Sequence, residues 1–362
     1  MKKNKIVVIG PVYPYKGGIS HYTGLLVRAL RERFDVSAIS YSMQYPKVLF
    51  KKEQRDYSND SFKVDAEFVL NTASPVSIIK TARYINSLKP ELVIIQWWHP
   101  YFSICYTMLA MFLKSKILFV CHNVFPHERF PMDKLLTRMT LKKGSYYILH
   151  SSLELDALKT IVKDPKYRVN MHPTYSAFDF SGGAGQDEKE EGLLFFGFVR
   201  PYKGLKYLIE AMKAVPGKKL NIVGDFGTAE EEYRELIRTA GIDKRTTVVN
   251  GYVPDKEVEK YFRSCEAVVL PYTDATQSGI AQIAFGFKKP VIATDAGGLP
   301  EVVTDGKTGI ICKRKDPEDL ARAIKRFYEL KDKTDFKKNI EADAARFSWE
   351  HMVDNIKELA LK

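Results

Sequence analysis

Two cations stand close together in the segment FGFVRPYKGL and could bind a diphosphate. Arg200 and Lys203 are three positions apart and follow an apolar run. The guanidinium offers a planar fork of donors and the ammonium a compact charge, so together they can neutralise a diphosphate. Solvated surface cations are the alternative. The position directly after a predicted strand favours a binding site, suited to a leaving diphosphate without a metal.

A second candidate anion site is the start of a helix at Ser278 and Gly279. The apolar run 267–270 ends at Pro271, a cluster of Thr, Asp, Ser and Gly follows, and residues 280–287 are mostly apolar. This order predicts a strand, a turn with an N-cap, and a helix. A helix N-terminus leaves backbone amides unpaired and carries about half a positive charge. We therefore expect a phosphate there.

Paired glycines, Gly17 and Gly18, follow the first apolar run and precede a helix. Glycine lets the backbone approach a ligand closely, and the helix start beyond it adds amide donors. The spacing differs from G-x-G-x-x-G, so no dinucleotide fingerprint is predicted. A plain structural turn is the alternative interpretation.

A histidine, His122, follows another predicted strand and could act in catalysis. His127 and Glu128 come shortly after it. Imidazole titrates near neutral pH, and a nearby carboxylate can tune it. A structural histidine is the alternative. The H-E-x-x-H pattern is absent from the sequence, so no zinc site is predicted.

Aromatic side chains end a further strand at Trp97, Trp98 and His99. They could form the floor of a sugar or lipid site, because an aromatic face combines an apolar surface with a polar handle. Packing in the core is equally compatible with this pattern.

The elements that must position these residues are strands alternating with helices. This βαβ pattern predicts α/β domains with parallel sheets. Two doubly wound sheets in series would face one another across a cleft, with ligands at the carboxyl ends of the strands. The predicted strands lie at residues 6–9, 36–39, 92–97, 117–121, 147–149, 193–196, 220–223, 247–249, 267–270, 291–294 and 310–311.

A change of composition marks the domain boundary. In SAFDFSGGAGQDEKEEG, residues 176–192, glycine, serine and charge replace apolar periodicity. We predict an N-terminal Rossmann-like domain at 1–178 and a C-terminal Rossmann-like domain at 190–345. Residues 346–362 form an amphipathic helix that we expect to brace the two domains, with Ser348 as its N-cap.

The chain is basic in one half only. Residues 1–180 hold 26 Lys and Arg against 14 Asp and Glu, so the whole net charge of +12 falls there. This asymmetry favours a polyanionic partner or an anionic membrane surface, with solvated helix faces as the alternative. A membrane would meet the segment that contains Lys47, Lys51, Lys52 and Arg55. No nucleic-acid-binding module is recognisable, so no nucleic-acid partner is expected.

The cysteines and apolar runs bear on the cellular setting. Cys105, Cys121, Cys265 and Cys312 lack C-x-x-C spacing, which predicts neither zinc nor disulfides. The first apolar run is too short for a signal peptide, and the run 92–113 is interrupted by polar residues and proline. We expect a cytoplasmic protein, peripheral on the inner face of the cell membrane.

Taken together, the motifs resemble those of the retaining glycosyltransferases of family 4, which have the GT-B fold. The resemblance is carried by GGIS after the first strand, HNVFPHE, FGFVRPYKGL, PVIATDAGGLPEVV and the closing SWE helix, and covers nearly the whole chain. It implies a UDP- or GDP-linked sugar donor bound mainly by the second domain, an acceptor bound mainly by the first, and retained anomeric configuration. It implies no cofactor and no required metal.

The resemblance also assigns roles by position. Arg200 and Lys203 would hold the donor diphosphate, and the amides of Ser278 and Gly279 would cap it. Gly17 and Gly18 of the first domain would contact the diphosphate from the opposite side. His122 would face the transferred sugar or the acceptor, and the remaining acceptor-side candidates are Trp98, His99, His127 and Glu128.

The sequence departs from the family at its glutamate pair. Ala275 and Ile283 occupy the two positions, eight apart, where the family usually has glutamates for the sugar and the ribose. The usual arginine after the first glycine of the second domain is Phe198, with Arg200 as the substitute. Sugar and ribose contacts must then come from other residues, for which the candidates are Gln277, Gln282, Asp274 and Glu301.

The leading hypothesis is a hexosyltransferase in surface-polysaccharide or glycolipid assembly. A nucleotide-sugar epimerase or phosphorylase on the same fold is one alternative, and a catalytically silent protein that binds carbohydrate or membrane is another. The missing glutamates give the silent alternative its weight.

Overall fold

The computed structural model describes residues 4–50, 53–57, 60–126, 129–179 and 190–361. The chain divides into two compact units. The first unit is Met1–Asn170 together with Trp349–Lys362, and the second unit is Met171–Ser348. Each is a parallel sheet flanked by helices.

The first unit has a seven-stranded sheet in the order β3-β2-β1-β4-β5-β6-β7. All its strand pairs are parallel. The central strands β4 and β5 are almost wholly buried, as expected for apolar runs covered on both faces. The strands are β1 (Lys5–Ile9), β2 (Asp35–Met43), β3 (Glu67–Asn71), β4 (Leu92–Trp97), β5 (Lys116–Cys121), β6 (Tyr146–Leu149) and β7 (Tyr167–Val169).

The helices of the first unit connect these strands. Ser74 caps α2 by accepting a hydrogen bond from the Ser77 amide, with Pro75 at the first helical position. The helices are α1 (Gly18–Arg33), α2 (Pro75–Leu88), α3 (Ser103–Phe112), α4 (Asp133–Leu141) and α5 (Leu153–Lys159), with a 3₁₀ turn at Pro100–Phe102.

The second unit has a six-stranded parallel sheet in the order β10-β9-β8-β11-β12-β13. The strand order reverses at β8, which lies between β9 and β11. In such sheets the crevice at the reversal, outside the carboxyl ends of the strands, is the usual ligand site. The strands are β8 (Leu193–Phe196), β9 (Leu220–Gly224), β10 (Thr246–Asn250), β11 (Ala267–Leu270), β12 (Val291–Thr294) and β13 (Gly309–Cys312).

The helices of the second unit bury one apolar face each. In α11, Asp316 caps the first turn by accepting from the Asp319 amide, and Leu320, Ile324 and Phe327 pack into the core. The helices are α6 (Leu205–Met212), α7 (Glu230–Thr239), α8 (Asp255–Ser264), α9 (Gly279–Gly286), α10 (Leu299–Val302), α11 (Pro317–Leu330) and α12 (Phe336–Asp343).

The last helix, α13 (Trp349–Ala360), belongs to the first unit. Arg33 on α1 forms ion pairs with Glu350 (2.8 Å) and Asp354, and the Trp349 ring meets the Tyr22 ring edge-on with centroids 5.1 Å apart. The predicted role of this helix as a brace between the domains stays a prediction.

Several boundaries differ from the sequence predictions. The division falls between Asn170 and Met171, upstream of the predicted boundary at residue 178. Helix α1 begins at Gly18, so the second of the paired glycines lies in the helix and does not precede it. The strands β3 and β7 were not predicted, because both are short and partly exposed. Most of the predicted linker, residues 180–189, lies outside the described residues.

The cysteines and the helices also bear on the predicted setting. Cys105, Cys121, Cys265 and Cys312 are buried free thiols. Across the described ranges, no helix combines the length and the apolar character needed to cross a membrane.

Candidate functional site

The loop after β8 brings an ammonium group over a glycine. Gly197 follows the strand with φ +104°, a conformation that favours glycine. A Cβ at this position would lie 3.0 Å from the Nζ of Lys203 and 3.6 Å from the Cδ1 of Ile280. Lys203 ends a 3₁₀ turn that begins at Pro201, and Ile280 is in the first turn of α9. The structure thus brings Lys203 and the start of α9 to one point.

This loop is in backbone contact with the loop after β11. Gly204, with φ +68°, follows Lys203, and a Cβ there would overlap the carbonyl oxygen of Pro271. The Thr273 amide donates to the Tyr202 carbonyl at 2.7 Å. The two loops flank the point where the strand order reverses, so the predicted phosphate contacts lie at one edge of the sheet.

Helix α9 begins as predicted at Ser278 and Gly279. The Ser278 hydroxyl accepts from the Ala281 amide at 3.4 Å and so acts as N-cap. The amides of the first helical residues have no acceptor within their own helix, so they can bind an anion. Tyr272 fixes the cap from the other side, since its hydroxyl lies 3.5 Å from the Ser278 Oγ.

Burial controls the charge state of Lys203. Desolvation, together with the smaller effect of the nearby Arg200 guanidinium, lowers the pKa of its ammonium to about 8. The Nζ lies 5.7 Å from the centre of the Tyr272 ring, and no carboxylate of the described residues forms an ion pair with it. A diphosphate in contact with Lys203 would supply the missing negative charge and stabilise the protonated form.

Arg200 and Phe198 are on the exposed side of the same loop. Arg200 lies in solvent next to Lys203, and Phe198 is 52% exposed. The exposed guanidinium can reach an anion held at Lys203, whereas the ring of Phe198 offers no charge. The geometry is compatible with Arg200 taking the place of the usual family arginine.

Two amide side chains near α9 hold buried polar atoms without a protein partner. Gln282 is fully buried, and neither its Oε1 nor its Nε2 has a hydrogen-bond partner among the described residues. The Oε1 of Gln277 is also buried and has no hydrogen-bond partner among the described residues. Buried polar groups almost always have a partner, so water or a ligand is expected at both.

The other predicted donor positions lie in or next to the loops after β11 and β12. Ala275 and Ile283, at the usual glutamate positions, are buried apolar side chains. Asp274 is exposed, and Glu301 is partly buried on α10. The loop before α10 touches the loop after β11, because a Cβ on Gly297 would overlap the Ala275 carbonyl oxygen.

In the first unit, His122 is buried at the carboxyl end of β5. Its side chain is 1% exposed, and its Nε2 lies 2.8 Å from the Oε1 of Gln96 on β4. Since an amide oxygen only accepts, the Nε2 carries the proton. The Tyr22 ring meets the imidazole edge-on with centroids 4.6 Å apart, and the His150 ring lies 5.2 Å away.

The sequence analysis did not single out Gln96, His150 or Tyr22. His150 donates from Nδ1 to the Asn170 carbonyl at 2.8 Å, and burial lowers the pKa of its imidazole to about 4. A signal for Gln96 was present, because it is the one polar side chain in the buried strand LVIIQW. A polar group in such a strand needs a partner, which here is His122.

The aromatic candidates have structural contacts of their own. Trp97 is fully buried and donates to the Val124 carbonyl, so core packing accounts for it. Trp98 is partly buried against Phe102 and donates to the Tyr45 hydroxyl at 3.3 Å. The His99 Nδ1 accepts from the Tyr101 amide, and burial lowers the pKa of its imidazole.

The remaining predicted residues are placed less fully. Gly17 has φ +100° and precedes α1, and a Cβ on Gly17 or Gly18 would meet nothing within 4 Å. The contact with the diphosphate predicted for this pair stays a prediction. His127 and Glu128 lie outside the described residues. Among the residues that are described, no group of His, Cys, Asp and Glu is arranged to hold a metal ion.

Comparison with known proteins finds a family match within the chain. Residues 179–343 match the family described as Glycosyl transferases group 1. An uncharacterized glycosyltransferase of Methanocaldococcus jannaschii is 23% identical over 370 residues, which cover 98% of this chain and 97% of that protein. The GDP-mannose:glycolipid 4-beta-D-mannosyltransferase of Xanthomonas campestris pv. campestris is 30% identical over 196 residues, which cover 52% of this chain. This chain spans 54% of that enzyme's length.

A solved structure extends the likeness to the whole chain. The Anabaena protein HepE, solved in complex with UDP, has a TM-score of 0.72 at 17% identity, and 98% of each chain is covered. At this identity the likeness establishes the fold alone. The predicted α/β class, with two Rossmann-like domains of GT-B type, is confirmed.

Proposed function

Residues 179–343 match the family described as Glycosyl transferases group 1, and from this premise we propose that the protein transfers a sugar from a nucleotide-diphosphate sugar to a glycan or glycolipid acceptor. The observation that carries the proposal is the convergence of the Lys203 ammonium with the start of α9 beside Gly197. An ammonium without a carboxylate partner among the described residues, next to unpaired helix amides, fits a diphosphate.

The donor is a UDP- or GDP-linked sugar that binds without a cofactor. HepE was solved with UDP, and the Xanthomonas relative is named for GDP-mannose. In this proposal Lys203 and Arg200 neutralise the diphosphate, and the amides beside Ser278 and Gly279 contact a phosphate oxygen. Gln277 and Gln282 supply polar contacts that the family usually makes with glutamates, and Glu301 on α10 is a further candidate.

The transfer follows a retaining course. The bond between the anomeric carbon and the diphosphate oxygen breaks, the diphosphate leaves with the electron pair, and the acceptor hydroxyl attacks from the same face. Negative charge develops on the leaving oxygen, so the fixed positive groups stabilise the transition state more than the bound donor. The proton of the acceptor hydroxyl leaves with the diphosphate.

The first unit contributes the acceptor side. His122 is held by Gln96 with its Nε2 protonated, so in this tautomer Nδ1 is the basic nitrogen of the ring. We place a glycan or a lipid-linked glycan here, as in surface-polysaccharide assembly at the inner face of the cell membrane. Trp98, His99, His127 and Glu128 stay candidates for its recognition.

The test is the variant Lys203→Ala, assayed with a panel of UDP- and GDP-sugars. We expect turnover to be lost and UDP or GDP to bind at least tenfold more weakly, because one charge-assisted contact is worth about 1.5–3 kcal/mol. Unchanged transfer in this variant would remove Lys203 from the mechanism.

The same panel separates the alternatives. Tight nucleotide binding by the wild-type protein without turnover of any sugar would favour the silent carbohydrate-binding protein, to which the buried Ala275 and Ile283 give weight. Conversion of the donor sugar in the absence of an acceptor would favour an epimerase. Release of a sugar phosphate would favour a phosphorylase.

A further inference from the structure

Helices α3 and α4 of the first unit pack against each other through hydroxyl groups. The Ser103 Oγ lies 2.6 Å from the Thr140 Oγ1, and the Thr107 Oγ1 lies 3.0 Å from the same atom. All three side chains are buried. Three short hydroxyl side chains of this helix pair therefore meet in its buried seam.

The outer sides of the same two helices carry large apolar side chains. On α3, Ile104 is 61% exposed, Met111 65% and Phe112 44%. On α4, Leu135 is 59% exposed and Met139, four residues on, 38%. Exposed residues at helical spacing share one side of each helix. We call these five residues, with the exposed Met132 before α4, the α3–α4 face.

This distribution is unusual for helices in water, because both helices bury apolar residues in the core and still expose large apolar residues on the opposite side. A surface helix normally turns its apolar residues to the core and its polar residues to solvent. A lone exposed apolar residue needs no explanation, but a contiguous set marks an interaction site. The α3–α4 face therefore fits a partner that offers apolar contact.

The charges next to the face are almost all positive. Lys134, Arg138, Lys142 and Lys143 are exposed on or directly after α4. Between residues 103 and 143 the sequence has seven Lys and Arg against two acidic residues, Glu128 and Asp133. Asp133 is buried and paired with Arg129. Apolar side chains among cations, with little acid to offset them, match an anionic lipid surface.

A second set of exposed apolar residues lies in the segment after β2. Tyr45 packs on Phe102, in the 3₁₀ turn directly before α3, and Phe50 stacks on Tyr45. Between them, Val48 is 87% exposed and Leu49 65%. This segment carries an exposed pair of apolar residues beside Lys47.

The structure changes part of the membrane prediction made for this segment. Arg55 is not directed to a lipid surface, because its guanidinium stacks over the Tyr15 ring at 5.1 Å and donates to the Ser42 carbonyl. Lys51 and Lys52 lie outside the described residues. The stronger membrane candidate is the α3–α4 face.

We propose that the α3–α4 face docks the protein on an anionic lipid bilayer, with Ile104, Met111, Leu135 and Met139 entering the interface and Lys134 and Arg138 contacting lipid headgroups. A second copy of the chain is the less suitable occupant, because two such faces would bring like charges together. The proposal rests on the first unit alone and does not depend on sugar transfer.

The test is flotation of the full chain with vesicles of phosphatidylcholine, alone or mixed with phosphatidylglycerol. We expect binding to the mixed vesicles only, weakened by added salt because the attraction is screened. Two double variants probe the face: Leu135→Gln with Met139→Gln, and Lys134→Gln with Arg138→Gln. The apolar pair should abolish binding, and the charge pair should weaken it about 25-fold, roughly fivefold per cation.

The matched control is Lys244→Gln with Lys256→Gln, which removes two exposed cations from the second unit. It changes the net charge equally and should leave vesicle binding intact. UDP affinity should be unchanged in all three double variants, which separates this test from that of the proposed function. The proposal is overturned if the wild-type protein does not bind anionic vesicles, or if the control variant loses as much vesicle binding as the two variants of α4. It is also overturned if sedimentation velocity shows a dimer that the Leu135→Gln and Met139→Gln pair disrupts.

Discussion

The Nζ of Lys203 lies 3.0 Å from where a Cβ at position 197 would be, so any side chain larger than that of glycine would press against the ammonium. The variant Gly197→Ala should displace the ammonium and weaken UDP binding about tenfold or more, as expected when a charge-assisted contact of about 1.5–3 kcal/mol is disturbed. It should also cost about 1–3 kcal/mol of stability, because alanine disfavours positive φ. Calorimetric titration and chemical denaturation measure the two effects.

The control is Gly217→Ala, which has positive φ but a Cβ that would meet nothing within 4 Å. It should lose stability without losing UDP affinity. Equal loss of affinity in both variants would mean that backbone strain, and not the position of Lys203, explains the effect.

Nucleotide-sugar affinity should depend on pH through Lys203. Burial and Arg200 lower the pKa of its ammonium to about 8. Below that pH the group is charged and attracts the diphosphate; above it the free protein must first take up a proton to bind. The dissociation constant should therefore rise as pH increases above about 8, approaching tenfold per unit.

The comparison for this pH series is Lys203→Arg, because a guanidinium stays charged throughout the range. Its profile should be flatter than that of wild type, and ionisation of the ligand itself affects both proteins equally. Parallel profiles for the two proteins would exclude Lys203 as the titrating group.

Replacement of Gln282 by leucine should separate stability from binding. The ligand-free protein should gain about 1–3 kcal/mol in free energy of unfolding, because a buried amide without a protein partner is removed. Nucleotide-sugar affinity should fall, since the same amide is proposed to contact the donor. Denaturation and titration of Gln282→Leu test both, with Gln277→Leu as the companion variant. Lower stability with unchanged affinity would point to a structural water instead.

The variant Gln96→Leu should lower kcat with little change in KM for the donor. The Gln96 oxygen accepts from the His122 Nε2 at 2.8 Å and so orients the ring, whereas donor binding is assigned to the second unit. A loss of about 100-fold is the scale of positioned acid-base groups. Gln96→Glu keeps an acceptor and should recover part of the rate. If Gln96→Leu raises KM instead, Gln96 does not act through His122.

Sequence patterns were sufficient for the central strands and their loops. The run 267–270 ends at Pro271 and the run 291–294 before Asp295, so proline and turn residues define both strand ends. The edge strands β3 and β7 were not predicted, because strands that are partly exposed have a weaker apolar pattern in the sequence. Helix α13 could be predicted as a helix, but its ion pairs with Arg33 depend on tertiary packing.

The site was predictable in composition but not in arrangement. Arg200, Lys203, Ser278 and Gly279 were found because cations and helix-start residues follow strands. The position of the Lys203 ammonium beside Gly197 and the start of α9 depends on the packing of the loop after β8 against the loop after β11. The sequence of either loop alone does not predict this packing. The seam of Ser103, Thr107 and Thr140 is similarly hidden, since short hydroxyl residues are typical of helix surfaces as well.

The backbone contacts at Gly204 and Gly297 have a consequence for the thermodynamics of donor binding. Both glycines let neighbouring loops touch the loop after β11 without intervening side chains, and the Thr273 amide adds a hydrogen bond to Tyr202. The conformational entropy of these loops is therefore lost during folding, before any ligand arrives. Because these loops are already ordered, they lose little further entropy when the nucleotide binds, so more of the free energy of the contacts to the nucleotide contributes to affinity.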